Sequence, residues 1–169
     1  MTYDNRNPNR SYRGQPRGGA QNRGSNQPAA PAYDPEKPEP IPAEYAAAAD
    51  AVMGKLKEDR YKITTSKLRN LFDLFTETYN ELPHGDGEKL NDRQKDRIRA
   101  ARVRIVYEIG RDASYKANIG MSSGEVGRFV QESKILNYLA HVRDSAKEYA
   151  LFYHYFEALV AYHRFYINR

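Results

Sequence analysis

The chain has 169 residues, a formal charge of +5 and no cysteine, which excludes disulfides, thiol nucleophiles, iron–sulfur clusters and thiolate zinc sites. No apolar run approaches the ~18 residues that cross a bilayer, and the N-terminus lacks the apolar stretch of a signal peptide, so no membrane partner and a cytoplasmic location are expected. The length fits one domain plus a tail, and a pI near 9.3 permits an anionic partner without demanding one.

The composition changes near residue 42. Eight of the nine prolines stand at or before Pro42, and Val, Leu, Ile and Phe are absent from Thr2 to Pro40. Such a stretch buries too little apolar surface to offset its chain entropy, so residues 1–42 are expected to form a disordered Arg/Gly/Pro-rich tail and spacer. Arg6, Arg10, Arg13, Arg17 and Arg23 lie among Asn, Gln, Gly and Tyr. That pattern suits loose RNA contact by guanidinium and ring stacking, but a solvated tail with no specific role is the commoner case and the favoured expectation.

Residues 43–169 read as an all-α domain, a five-helix bundle. The first helix is predicted from about Ala43 to Tyr61, opening in the Ala-rich AEYAAAADAV just after Pro42. The second begins in ITTSKLRNLFDLF, with Thr64 or Thr65 as its cap and Leu68, Leu71, Phe72, Phe75 and Tyr79 on one face. Pro83, Gly85 and Gly87 enforce a loop. The third helix spans about Asn91 to Ala117. The fourth starts near Ser122 or Ser123 and turns Val126, Phe129, Val130 and Leu136 to the core. The fifth covers about Ser145 to Tyr166.

On the third helix, Ile98, Ala101, Ile105, Val106 and Ile109 form the expected core face. Arg93, Arg97, Arg104 and Arg111 fall within about 40° of one another away from it, with Tyr107 beside them. The stripe is about 27 Å long, a geometry that suits a polyanion whose phosphates recur along a line. Glu108 and Asp96 are placed to neutralise part of it. Arg102 falls near the apolar face and is expected to snorkel or to meet a carboxylate.

The last helix has two apolar sides. Tyr149, Phe152, Phe156, Leu159, Val160 and His163 share one; Leu151, Tyr155, Ala158, Tyr162 and Phe165 share the other. Burial on both sides fits either a central helix or a face that meets another subunit. The four histidines (His84, His141, His154, His163) show no metal-ligand spacing, and the PHGDGEK loop with His84, Asp86 and Glu88 has no calcium-loop pattern. With no Walker A, GxSxG or GxGxxG motif, neither an enzyme nor a cofactor is expected, and a binding or scaffold role fits best.

Three segments in order, ITTSKLRNLFDLF, RVRIVYEIGRD and YFEALVAYHRFY, resemble the small Csm-type helical subunit of type III-A CRISPR effector complexes. The resemblance covers most of residues 62–168 and leaves the tail outside. It implies a noncatalytic five-helix subunit that repeats along the guide–target duplex beside a filament of larger RNA-binding subunits, which with the large subunit supply the nuclease chemistry. The implied partners are CRISPR guide RNA, target RNA, other subunits of the effector complex and copies of the chain itself. Contact with the RNA backbone would be independent of sequence. Carried over by motif, Lys67, Arg69, Arg104 and Arg111 are the RNA-contact candidates; Arg93 and Arg97 extend the stripe by spacing. Tyr107 is expected to be structural, with stacking the lesser reading. The competing expectation is a helical protein–protein adaptor whose basic stripe is only a solvated face.

Overall fold

The computed structural model describes Met1 and residues 33–60, 63–83, 88–118 and 124–167. Residues 2–32 of the expected tail, residues 84–87 of the Gly-rich loop and the Ser122 or Ser123 start of the fourth helix lie outside the described residues. Among those described, the fold is all-helical, with α1 (Tyr45–Glu58), α2 (Thr65–Asn80), α3 (Asp92–Asn118), α4 (Glu125–Ser133), α5 (Ile135–Val142) and α6 (Ala146–Ile167).

Helix starts follow local chemistry. The Thr64 hydroxyl accepts the Lys67 amide at 3.3 Å and caps α2. Asn91 and Gln94 cap α3 reciprocally: each side-chain oxygen accepts the other's backbone amide at 2.9 Å. Gln94 also donates from Nε2 to the Glu81 carbonyl at 2.8 Å, which ties the start of α3 to the end of α2.

Six helices stand among the described residues where five were expected. The extra boundary is Lys134, whose left-handed backbone (φ 54°) separates α4 from α5. No glycine or proline marks the position, and the residue pays the steric cost of that conformation. Packing holds the break instead. The buried Ser133 donates to the Phe129 carbonyl at 2.7 Å, and its own carbonyl accepts the buried Tyr155 hydroxyl at 2.8 Å. A buried tyrosine needs such a partner, and the end of α4 supplies it.

Helix α6 is the centre of the bundle, packed by α1, α2 and α5, while α3 packs on α2 and α4. Its two apolar sides are thus largely occupied by the chain's own helices. Phe75, Phe129, Phe152 and Phe156 are fully buried, with Phe75 and Phe152 edge to face at 5.0 Å. The Tyr149 hydroxyl donates to the Phe75 carbonyl at 2.9 Å, so α6 is also pinned to α2 by a buried hydrogen bond.

Residues 33–42 depart from the expected free spacer. The Asn137 side-chain amide donates to the Asp34 carbonyl at 2.7 Å and the Lys37 carbonyl at 2.9 Å, and the Asn137 carbonyl accepts the Glu39 amide at 3.2 Å. Ile41 is buried in the core. Arg102 donates to the Pro35 carbonyl and pairs with Glu36 at 2.5 Å, so the carboxylate expected for it comes from this strap. Composition misses such docking because the bundle satisfies the strap's backbone groups and asks little apolar area of it.

Candidate nucleic-acid interface

Helices α2 and α3 run antiparallel. Lys67 at the start of α2 meets Asp112 on the last turns of α3, while Glu77 and Glu81 at the end of α2 meet Arg97 near the start of α3. Between them lies a cleft of about 360 Å³ lined by Lys67, Asn70, Asp73, Leu74, Arg104, Glu108 and Arg111, among others. A second hollow along the same helix pair is lined by Asp73, Glu77, Arg97 and Arg104, so the groove extends toward the other end of the pair.

The six candidate cations divide into three kinds. Arg104 and Arg111 flank Glu108, whose Oε1 takes Arg104 Nη2 at 2.9 Å and whose Oε2 takes Arg111 Nη2. The arginine side chains are 56% and 60% exposed and the carboxylate only 13%, so the guanidiniums reach outward from a sunken anion. Arg97 and Lys67 are committed across helices. Arg97 is clamped by Glu77 and, at 2.6 Å, by Glu81. Lys67 bonds Asp112 at 2.8 Å and Glu125 at 3.0 Å. Arg69 and Arg93 are exposed, and neither makes an ion pair among the described residues.

Asp112 is the residue that sequence reasoning missed. Nearly buried, it accepts the Val126 backbone amide at 2.9 Å and so caps α4 from a distance. Burial alone would raise its pKa; the Lys67 ammonium and the Val126 amide outweigh that and hold the carboxyl below its ordinary range. Burial likewise works to lower Lys67, but the bonds to Asp112 and Glu125 win and leave it above the usual ammonium value. Lys67 is therefore a latch joining α2, α3 and α4 as much as a cation on a surface.

Two expectations about α3 are corrected. Val106 is 53% exposed rather than in the core, because it sits at the edge of the face that Ala101 and Ile105 bury. Tyr107 is 56% exposed rather than structural, with the Arg104 guanidinium 5.3 Å from its ring centroid. Arg99 pairs with Asp96 at 2.5 Å on the same outer side.

The described histidines are structurally engaged. Buried His163 donates from Nε2 to the Ile63 carbonyl at 2.7 Å. His154 lies 3.2 Å from the Tyr79 hydroxyl and 3.5 Å from Glu157, and His141 lies 3.9 Å from Glu148. Among the described residues no three His, Cys, Asp or Glu side chains converge as a metal site would require, and no helix is long and apolar enough to cross a membrane.

The family model of the Csm2 protein of type III-A systems matches residues 42–169, the whole helical part. The chain belongs to the Csm2 family. The resemblance of three short motifs to small Csm-type subunits of type III-A CRISPR complexes is thereby shown over the full bundle. Among relatives, the CRISPR system Csm2 protein of Mycobacterium tuberculosis (strain CDC 1551 / Oshkosh) is 29% identical over 126 residues, spanning 74% of this chain and 93% of the relative. The Csm2 protein of Enterococcus italicus is 29% identical over 106 residues, spanning 62% of this chain and 68% of that one. The match to the Csm2 model begins at Pro42, so the cleft, the stripe and the Lys67 latch all lie within the family domain, whereas most of the docked strap precedes it.

Proposed function

We propose that the chain is a noncatalytic small subunit of a type III-A Csm complex that holds the sugar–phosphate backbone of guide and target RNA without reading bases. In this reading copies of the bundle, each carrying its docked strap at residues 33–42, line up beside other subunits in the cytoplasm. The observation that carries it is the cleft between α2 and α3, where Arg104 and Arg111 project outward beside Lys67 on a rigid helix pair. Guanidiniums held on a helix contact phosphate by position, not by letter. Arg93, exposed on the same line of α3, extends the contact, whereas Arg69, about 200° round α2 from Lys67, does not line the cleft.

The test is anisotropy of a labelled single-stranded RNA with the full chain over a salt series. R104A/R111A should weaken binding roughly tenfold, and the slope of log affinity against log salt should fall by about 1.4, the value for two lost phosphate contacts on a single strand. Unchanged affinity at low salt removes this reading.

A second reading, a helical adaptor with no RNA contact, is favoured by one observation. Val103, Val106 and Tyr107 form an exposed apolar cluster on the outer face of α3. Co-purification with and without ribonuclease separates the two, because an adaptor keeps its protein partner after RNA is digested.

A further inference from the structure

The arginines of this cleft are not bare. Arg97 gives its charge to carboxylates of the facing helix, a contact that joins α2 to α3. Glu108 differs, since it pairs with two arginines of its own helix, one turn before and one turn after it. Among the described residues, removing its charge therefore breaks no ion pair between helices. It also sits deeper than either guanidinium and meets each through Nη2. A guanidinium has five N–H donors, so the remaining donors of Arg104 and Arg111 stay available to an incoming anion.

We propose that Glu108 is an internal stand-in for phosphate. Its carboxylate keeps Arg104 and Arg111 together as a preformed pair and, by cancelling part of their charge, sets how weakly the site grips RNA. The inference rests on the RNA-binding reading above and names the residue that tunes that site. Its physical content is competition: two cations share one fixed anion, and an RNA phosphate must enter against it. A site of this kind is weak alone and gains strength only when several act along one strand.

The experiment compares the full chain, E108Q, R104A/R111A and the triple variant, using a labelled single-stranded RNA 30-mer and a salt series. Glutamine keeps a side-chain oxygen that accepts from guanidinium while removing the charge. E108Q should bind about fivefold tighter at low ionic strength, the size of one exposed charge interaction, with a steeper salt dependence. The gain should vanish in the R104A/R111A background. Equal or weaker binding by E108Q overturns the proposal, and so does a gain that persists without the two arginines, since net charge alone would then explain it. If E108Q does not fold, E108A carries the same expectation. Failure of the underlying reading is recognised separately, as R104A/R111A binding indistinguishable from the unaltered chain.

Discussion

Asp112 offers the sharpest test of how the interface is built. Substitution by alanine removes two interactions at once: the cap on the Val126 amide and the partner of Lys67. A lost helix cap costs about 1 kcal/mol, and a lost charge-assisted hydrogen bond at a nearly buried site costs about 2 kcal/mol. D112A should therefore destabilise the bundle by about 3 kcal/mol, or roughly 10 °C in melting temperature for a domain of this size. D112N keeps an oxygen for the Val126 amide and loses only the ionic part, so it should cost about 2 kcal/mol. Urea unfolding followed by circular dichroism measures both. The pH dependence is a second readout. The folded carboxyl titrates below its unfolded value, so its contribution is present above about pH 4 and fades as pH falls through the folded pKa. Lys67 titrates above its ordinary value when folded, so its share holds below about pH 10 and is lost as pH rises past the folded pKa. D112A should flatten the acid-side loss. Stability of D112A within about 0.5 kcal/mol of the unaltered chain, the scatter of ordinary surface substitutions, would refute the latch. Equal costs for D112N and D112A would refute the cap alone.

Two further outcomes follow from the packing. F156A removes a fully buried ring that meets Phe72, Phe75, Phe129 and Phe152, and should cost about 3–5 kcal/mol in the same denaturation assay; a loss under about 1 kcal/mol would mean that α6 is not the core helix. N137A strips the Asp34 and Lys37 carbonyls of their donor and should release the strap, seen as about tenfold faster hydrogen exchange at the Glu39 amide, the equivalent of about 1.4 kcal/mol of local opening. Unchanged exchange there would show that Ile41 and the Arg102 contacts hold the segment without the Asn137 side chain.

Much of this fold is legible in the sequence because it is set by near neighbours. The faces of α2 and α6 follow the helical period, and Leu68, Leu71, Phe75, Phe152 and Phe156 are all buried as the wheel places them. The cap at Thr64 and the Glu108 pairings are also local, three or four residues away. What sequence reasoning misses is decided across distances that no pattern encodes. The break at Lys134 depends on Tyr155, 22 residues later in bonding to Ser133. The docking of residues 33–42 depends on Asn137, about 100 residues away. The roles of Lys67 and Arg97 are set by acids on other helices, so a motif could nominate them as surface cations without showing that they are engaged.

That distinction bears on what the arginine stripe can do. Helical spacing puts Arg93, Arg97, Arg104 and Arg111 on one line and suggests four equal contacts. The partners make them unequal. At Arg97 the charge is spent on holding α2 to α3, and withdrawing it toward a phosphate would uncover Glu77 and Glu81. Among the described residues, the one acid that Arg104 and Arg111 engage lies on the same helix, so a phosphate can approach without prising two helices apart. Arg93 meets no acid among the described residues. In the RNA-binding reading the stripe therefore has a structural segment at Arg97 with uncommitted arginines on either side, and its affinity for a backbone should depend on Arg93, Arg104 and Arg111 far more than on Arg97. R97A should lower stability with little change in salt slope, whereas R104A/R111A should lower the slope with little change in stability. The reverse pattern would mean that position on the wheel, and not the local ion-pair partner, decides which arginine meets RNA.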